Sequence, residues 1–167
     1  CPHAPVSGNC GPKRTIYQSF LLLRAGSADW LLLKRGDVWR NEYFTKYPQY
    51  GSIWKGEDMS GGRSNTERVI IASYGPSASR PRLELTQFQN LWSVANVSFH
   101  DLEFYSYRKD VNNPEFKGTD QTGFYMLYAN RNITVENSHF RYGSLIVQSV
   151  DDVNGQARFD NVQIRRN

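Results

Sequence analysis

The chain has 167 residues, a formal net charge of +4 from 20 basic and 16 acidic residues, and a 14% aromatic content made of ten Tyr, nine Phe and four Trp. That length suits one domain with a substantial core and is short for two. The basic excess falls well below that of a nucleic-acid-binding surface, and no stretch approaches the roughly 20 apolar residues of a membrane helix. Aromatic richness, two Met and the absence of long Ala/Leu/Glu/Lys blocks favour strands over helices.

In chain order, residues 1–14 read as a loop segment. Cys1 and Cys10 lie in it without the second pair or His spacing of a zinc site, and an oxidised pair closing that small loop fits an exported protein. With no initiator Met or signal peptide, the chain reads as processed or excerpted. Thr15-Ile16-Tyr17-Gln18 has the pattern of a capping box, and Ile16, Phe20, Leu23 and Leu22 share a face. This predicts a helix over 15–26, stopped by Gly26, that covers the open edge of the first strands.

From residue 27 to 167 the chain reads as strands. Asp29–Leu33 is a buried strand, Lys34–Asp37 turns into Val38-Trp39, and residues 40–66 form a long excursion with one strand around Gly51–Trp54. Within and beside it, Trp39, Tyr43, Tyr47, Tyr50 and Trp54 form either an aromatic platform or, as favoured here, a cover for the early strands. Arg68–Gly75 is a continuous apolar run, and Arg82–Leu85 alternates strictly.

A short phrase then occurs three times. Asn96–Phe104 returns as Asn132–Phe140 and more loosely as Gln156–Ile164, and aligning Asp101, Asn137 and Asn161 gives offsets of 36 and 24 residues. Short alternating strands at such a period indicate stacked repeats, each burying its apolar side against its neighbours. The Asp/Asn position marks a sharp bend that tolerates left-handed backbone. Stacked side chains there are expected to form a hydrogen-bonded ladder. Asn96-Val97-Ser98 and Asn132-Ile133-Thr134 also match a glycosylation sequon, but their place in the repeat favours the structural role. Tyr125 and Leu127 are assigned inward with Leu145 and Val147, and residues 105–122 are expected to protrude as a polar loop.

The residues Gly11-Pro12-x-Arg14-Thr15-Ile16, Asp29–Trp39, Ile71–Gly75, Arg80–Leu83 and Asn96-Val97-x-Phe99-x-Asp101-Leu102-x-Phe104 resemble the N-terminal part of the right-handed parallel β-helix, pectate-lyase-like superfamily, over residues 11–167. The resemblance implies an all-β, right-handed single-stranded parallel β-helix with an N-terminal capping helix, incomplete at its C-terminal end. It implies a protein secreted, periplasmic or at the cell surface that binds or cleaves an acidic polysaccharide, as a lyase or glycoside hydrolase if catalytic. The competing reading is a non-catalytic β-helix module of a surface, spike or filament assembly, with an end-to-end subunit contact at the open coil.

No standard catalytic signature is present. For a lyase, Lys109 or Arg108 is the candidate base or charge neutraliser and Arg141 a carboxylate clamp. Tyr105, Tyr107, Asp110, His139 and Tyr142 are the candidate sugar contacts, the bland alternative being a solvated loop. His139 with Glu103, and His100 above Glu136 and Asp160, are read as cross-coil surface pairs rather than dyads. No metal or cofactor is expected, although Asp151, Asp152 and Asn154, or Asp110, Glu115 and Asp120, carry oxygen donors suited to calcium.

Overall fold

The structure, a computed structural model, describes residues 12–48, 52–57, 59–148 and 159–167. Cys1, Cys10, Tyr50, Asp151, Asp152 and Asn154 lie outside the described residues, and the expectations placed on them are not addressed by it. The fold is mostly β, with thirteen strands in three all-parallel sheets and one short α-helix among the described residues. Sheet A contains β1 (Trp30–Lys34), β4 (Val69–Tyr74), β7 (Ala95–His100), β10 (Arg131–Glu136) and β13 (Asp160–Arg165). Sheet B contains β2 (Val38–Arg40), β5 (Arg82–Glu84), β8 (Glu103–Tyr105) and β11 (His139–Arg141), and sheet C contains β3 (Ile53–Lys55), β6 (Phe88–Trp92), β9 (Gly123–Leu127) and β12 (Ser144–Gln148). The chain visits A, B and C in strict rotation, so every strand pairs with the one three places later.

Strand alternation sends one row of each sheet inward. Val69, Val97 and Ile133 form one buried row in sheet A, and Ile71, Phe99 and Val135 the next. In sheet B the inner row runs Trp39, Leu83, Phe104, Phe140. Phe104 and Phe140 stack at 5.1 Å between ring centroids, while Phe99 and Phe104 each meet Phe124 edge-on at 4.9 and 5.2 Å. These ring contacts join the three sheets in one core and add to the stabilisation from apolar burial.

The inward phase of β9 is the reverse of the expectation. Phe124 and Met126 are buried and pair with Leu145 and Val147, whereas Tyr125 pairs with Ile146 on the outer face. Four consecutive apolar side chains at Phe124–Leu127 hide the alternation, and only core volume decides it. Strand β6 was not anticipated, because one of its two inward residues is polar. Buried Gln89 accepts from the Phe44 amide at 2.7 Å and donates to the Phe44 and Ser52 carbonyls, which satisfies it internally. Strand β1 is not buried throughout: Leu31 and Leu33 point in, and Trp30 and Leu32 are exposed.

The third repeat is also re-registered. Asp101 and Asn137 do share a column, with the Asn137 amide donating to Asp101 at 3.1 Å, but the next position in it is Arg166. Asn161 belongs instead to the column of Asn96 and Asn132, at separations of 36 and 29 residues, with amide-to-amide hydrogen bonds of 2.7 and 3.0 Å. All six residues have φ between 49° and 57°, a left-handed bend repeated at both ends of sheet A. Asn tolerates that conformation and carries a donor and an acceptor, so a column of Asn propagates along the stack. The phrase Val97-x-Phe99 therefore corresponds to Val162-x-Ile164, not to Ala157-x-Phe159.

The helix α1 (Ile16–Phe20) is shorter than the expected span. Thr15 caps it by accepting from the Gln18 amide, but the reciprocal partner is Glu42, whose carboxylate accepts from the Ile16 amide at 2.8 Å. Residues Leu22 and Leu23 continue as tight turns, and Gly26 ends the segment at φ 69°. Ile16 and Phe20 are buried, and Phe20 meets Trp54 edge-on at 4.8 Å. Trp54 is buried, and Trp39 and Tyr43 pack on the core, as a cover requires.

Candidate functional site

The outer face of sheet B is a lattice of guanidinium groups, carboxylates and tyrosines. Its outward rows are Val38, Arg82, Glu103, His139 and Arg40, Glu84, Tyr105, Arg141. Arg40 donates to Glu84 at 2.7 Å and to Glu115 at 2.6 Å, and Arg141 donates to Glu103 at 3.1 Å. Arg82 lies 3.5 Å from Glu103. Rings separate these ions: Arg141 and Arg82 stand 4.8 and 5.2 Å from the Tyr105 centroid, and Arg40 stands 4.6 Å from that of Tyr107. Pairing holds the guanidinium pKa values of Arg40 and Arg141 above their usual value, through Glu84 and Glu103 respectively.

Residues 106–122 fold back over this lattice rather than standing away from it. Tyr105 and Tyr107 are only 6% and 1% exposed, so neither offers a ring face to a sugar. The Tyr105 hydroxyl donates to Asp110 at 2.7 Å. Burial and the adjacent carboxylate push the phenol pKa up, and the same hydrogen bond, with one from the Asn112 amide, lowers that of Asp110. Asp110, Glu115 and Asp120 diverge to Tyr105, Arg40 and Arg108. No group of three or more His, Cys, Asp or Glu side chains suited to a metal occurs among the described residues.

Of the expected site residues, the structure brings Tyr105, Arg141, Tyr142 and Asp110 together, with Tyr142 6.1 Å from Tyr105. Arg108 and Lys109 sit on a 3-10 turn (Tyr107–Lys109) at the edge between sheets B and C. Arg108 faces Asp120 at 3.7 Å, and Lys109 forms no ion pair among the described residues. His139 is exposed beside Glu103 in register, but Glu103 is engaged by the two arginines. His100 does meet Glu136, at 3.6 Å, and the next residue in that row is Arg165, not Asp160.

Sheet C carries a feature that was missed. Its outer face presents Phe88, Asn90, Trp92, Tyr125 and Lys55, all partly exposed. Phe88 and Tyr125 lie 5.3 Å apart, Trp92 and Tyr128 5.5 Å apart, and the Lys55 ammonium is 5.8 Å from the Trp92 ring. Lys55, Glu57, Trp92, Ser93 and Tyr128 line an open cleft of about 280 Å³. Gly123, at φ 141°, contributes to this geometry: a Cβ there would collide with the Ser144 carbonyl oxygen, so the position paired with Phe88 carries no side chain. The signal in the sequence was the aromatic pair Phe88 and Trp92, four residues apart, followed by Tyr125 and Tyr128.

Such a face can do two things chemically. Partly exposed rings stack on the apolar faces of pyranose rings, and a cation at their edge pairs with an acidic substituent. A scan against models of protein families found no match, and searches of curated proteins and of solved structures found none either.

Proposed function

We propose that this chain is a section of an exported, right-handed parallel β-helix protein of pectate-lyase-like type that binds an acidic polysaccharide. The rotation of strands through three parallel sheets and the two columns of left-handed Asn and Asp bends support the architecture. The observation that carries the function is the aromatic outer face of sheet C, with two ring pairs and the Lys55 ammonium beside a cleft. In this reading Trp92, Tyr128, Phe88 and Tyr125 support consecutive sugar rings and Lys55 holds a carboxylate. The edge between sheets B and C supplies the rim, with Lys109, Arg141 and Tyr142. Lys109, which forms no ion pair among the described residues, is the proposed base if the polymer is cleaved by β-elimination: it takes the proton α to the uronate carboxylate, the glycosidic C–O bond at the β-carbon breaks to leave an unsaturated sugar end, and the released sugar oxygen is protonated.

Calorimetric titration with polygalacturonate, alginate and chondroitin tests the proposal. One of these polymers binds, and Trp92→Ala weakens it about tenfold, the scale of one lost stacking contact. Unchanged affinity in Trp92→Ala and Tyr128→Ala sinks the sugar-face assignment. Cleavage is read from the absorbance of new unsaturated ends, and Lys109→Ala abolishes it.

One observation favours a second reading. Val147 and Ile164 occupy inward rows of β12 and β13 yet are 41% and 44% exposed. A structural module that docks end to end on another subunit would cover them. Sedimentation velocity separates the two: concentration-dependent association that is lost in Ile164→Asp favours assembly, and a monomer at all concentrations rejects it.

A further inference from the structure

The outer face of sheet A has a charge excess that the site above does not use. Its row Ala72, His100, Glu136, Arg165 runs across β4, β7, β10 and β13, and the parallel row Ile70, Ser98, Thr134, Gln163 lies two residues upstream. Arg68 lies over that second row, with Nη1 donating to Ser98 at 3.3 Å and to Thr134, and Nε to the Asn65 carbonyl at 2.7 Å. Every acceptor of Arg68 among the described residues is uncharged, and its guanidinium forms no ion pair among them. Glu136 is the single carboxylate in the row, and it faces Arg166, Arg165 and His100 together. Two guanidinium groups and an imidazole therefore share one carboxylate, with Arg68 nearby on neutral acceptors. At the adjoining corner Asp101 is likewise shared, by Arg35 and Arg80.

Two titratable groups register this field. The His100 pKa is lowered below its usual value by burial and then by Arg165 and Arg68, and the Arg68 pKa is lowered by burial and by Arg165. Thr134, which the Arg68 guanidinium reaches, lies one strand and two residues from Arg165 in the register, a backbone separation on the order of 8 Å.

We infer that this edge of sheet A is a second anchoring surface, on which a carboxylate or sulfate group of the acidic polymer sits between Arg68 and Arg165 beside His100. The inference rests on the polysaccharide reading for the identity of the polymer, but the anion site stands on its own geometry. Nucleic acid carries the same kind of charge, but the basic cluster is compact and Glu136 lies within it, which suits spaced acidic groups better than a continuous phosphate backbone. Protonation of His100 adds a charge to the site. The groups facing it are Glu136, Arg165, Arg166 and Arg68, while β4 contributes the neutral Ala72.

The test is an NMR titration of the His100 imidazole with inorganic sulfate and with monomeric galacturonate, beside calorimetry with the polymer. Sulfate and galacturonate are expected to shift the His100 signals saturably and to raise its pKa. Polymer affinity is expected to rise as pH falls through that pKa, and the pH dependence disappears in His100→Gln. Arg165→Gln, at a half-exposed residue, weakens the polymer about two- to fivefold, and adding Arg68→Lys brings the loss to about tenfold. A response to only one of the two small anions identifies sulfate or carboxylate as the group bound. Indifference of His100 to both anions, or full polymer affinity in the arginine variants, overturns the anion site. Equal affinity for a DNA duplex overturns the glycan assignment. Trp92→Ala with unchanged polymer affinity but an intact His100 response refutes the sheet C reading and leaves this one standing.

Discussion

Asn132 is the middle member of a hydrogen-bonded column, donating to Asn96 and accepting from Asn161 while its backbone holds φ 52°. Replacement by Leu removes both bonds and places a branched side chain in a left-handed bend, so Asn132→Leu is expected to cost about 2–4 kcal/mol. Arg131→Ala, at its exposed neighbour, changes stability by less than about 0.5 kcal/mol. Urea denaturation of the two variants measures the contrast. A second residue-scale effect concerns acid. Because the folded pKa of Asp110 is depressed, its contribution to stability is complete above the ordinary carboxylate value of 3.8 and is lost as pH falls through the lower folded value. Tyr105→Phe removes the largest cause of that depression, and carbon-detected titration of Asp110 then shows its pKa moving upward. The bend residues were legible in the sequence as a type, Asn or Asp after an alternating strand. Their third register was not, because Asn161 fits either column until strand pairing chooses one.

Strand β9 offers two adjacent aromatics with opposite fates. Phe124→Ala empties a site ringed by Phe99, Phe104 and Phe140 and should cost about 3–5 kcal/mol. Tyr125→Ala, on the outer face beside Phe88, should cost less than about 1.5 kcal/mol and appear instead as weaker polymer binding. Thermal unfolding and calorimetry read the two separately, and equal destabilisation would contradict the inward assignment. The excursion over sheet B has another character. Ser106, Arg108, Asp120 and Thr122 each leave a buried polar atom without a hydrogen-bond partner at its base, and such atoms cost about 1–3 kcal/mol apiece. Its outer hold is the Arg40 contact with Glu115 and with the Tyr107 ring. Amide exchange in residues 106–122 is therefore expected to be faster than in β7 and β10, and faster still in Arg40→Ala. The sequence marked this segment as an insertion by its Pro, Asn and Gly content. That it lies against the sheet depends on Arg40 and Glu84, far away in the chain, and no local pattern announces such pairs.

At the scale of the molecule, the outer faces of the three sheets differ in chemistry. Rings and a cation occupy the outside of sheet C, arginines in excess over carboxylates the outside of sheet A, and sheet B carries a lattice whose charges answer one another. An overall excess of only four charges gave no hint of that partition, because composition averages over faces that the folded chain separates. The architecture was more readable: parallel strands with inward alternation and corner Asn residues leave a periodic trace, while β6 was masked by its inward Gln89. The Asn column carries a practical consequence for producing this protein. Asn96 and Asn132 stand in Asn-x-Ser/Thr triplets, and their side-chain nitrogens are committed to Gly62 and to Asn96 in the folded chain. An oligosaccharide attached there in a eukaryotic secretory host would be linked through the very nitrogen the column donates. Modified chains from such a host would emerge misassembled, and a bacterial host, which leaves these triplets bare, is the one to choose.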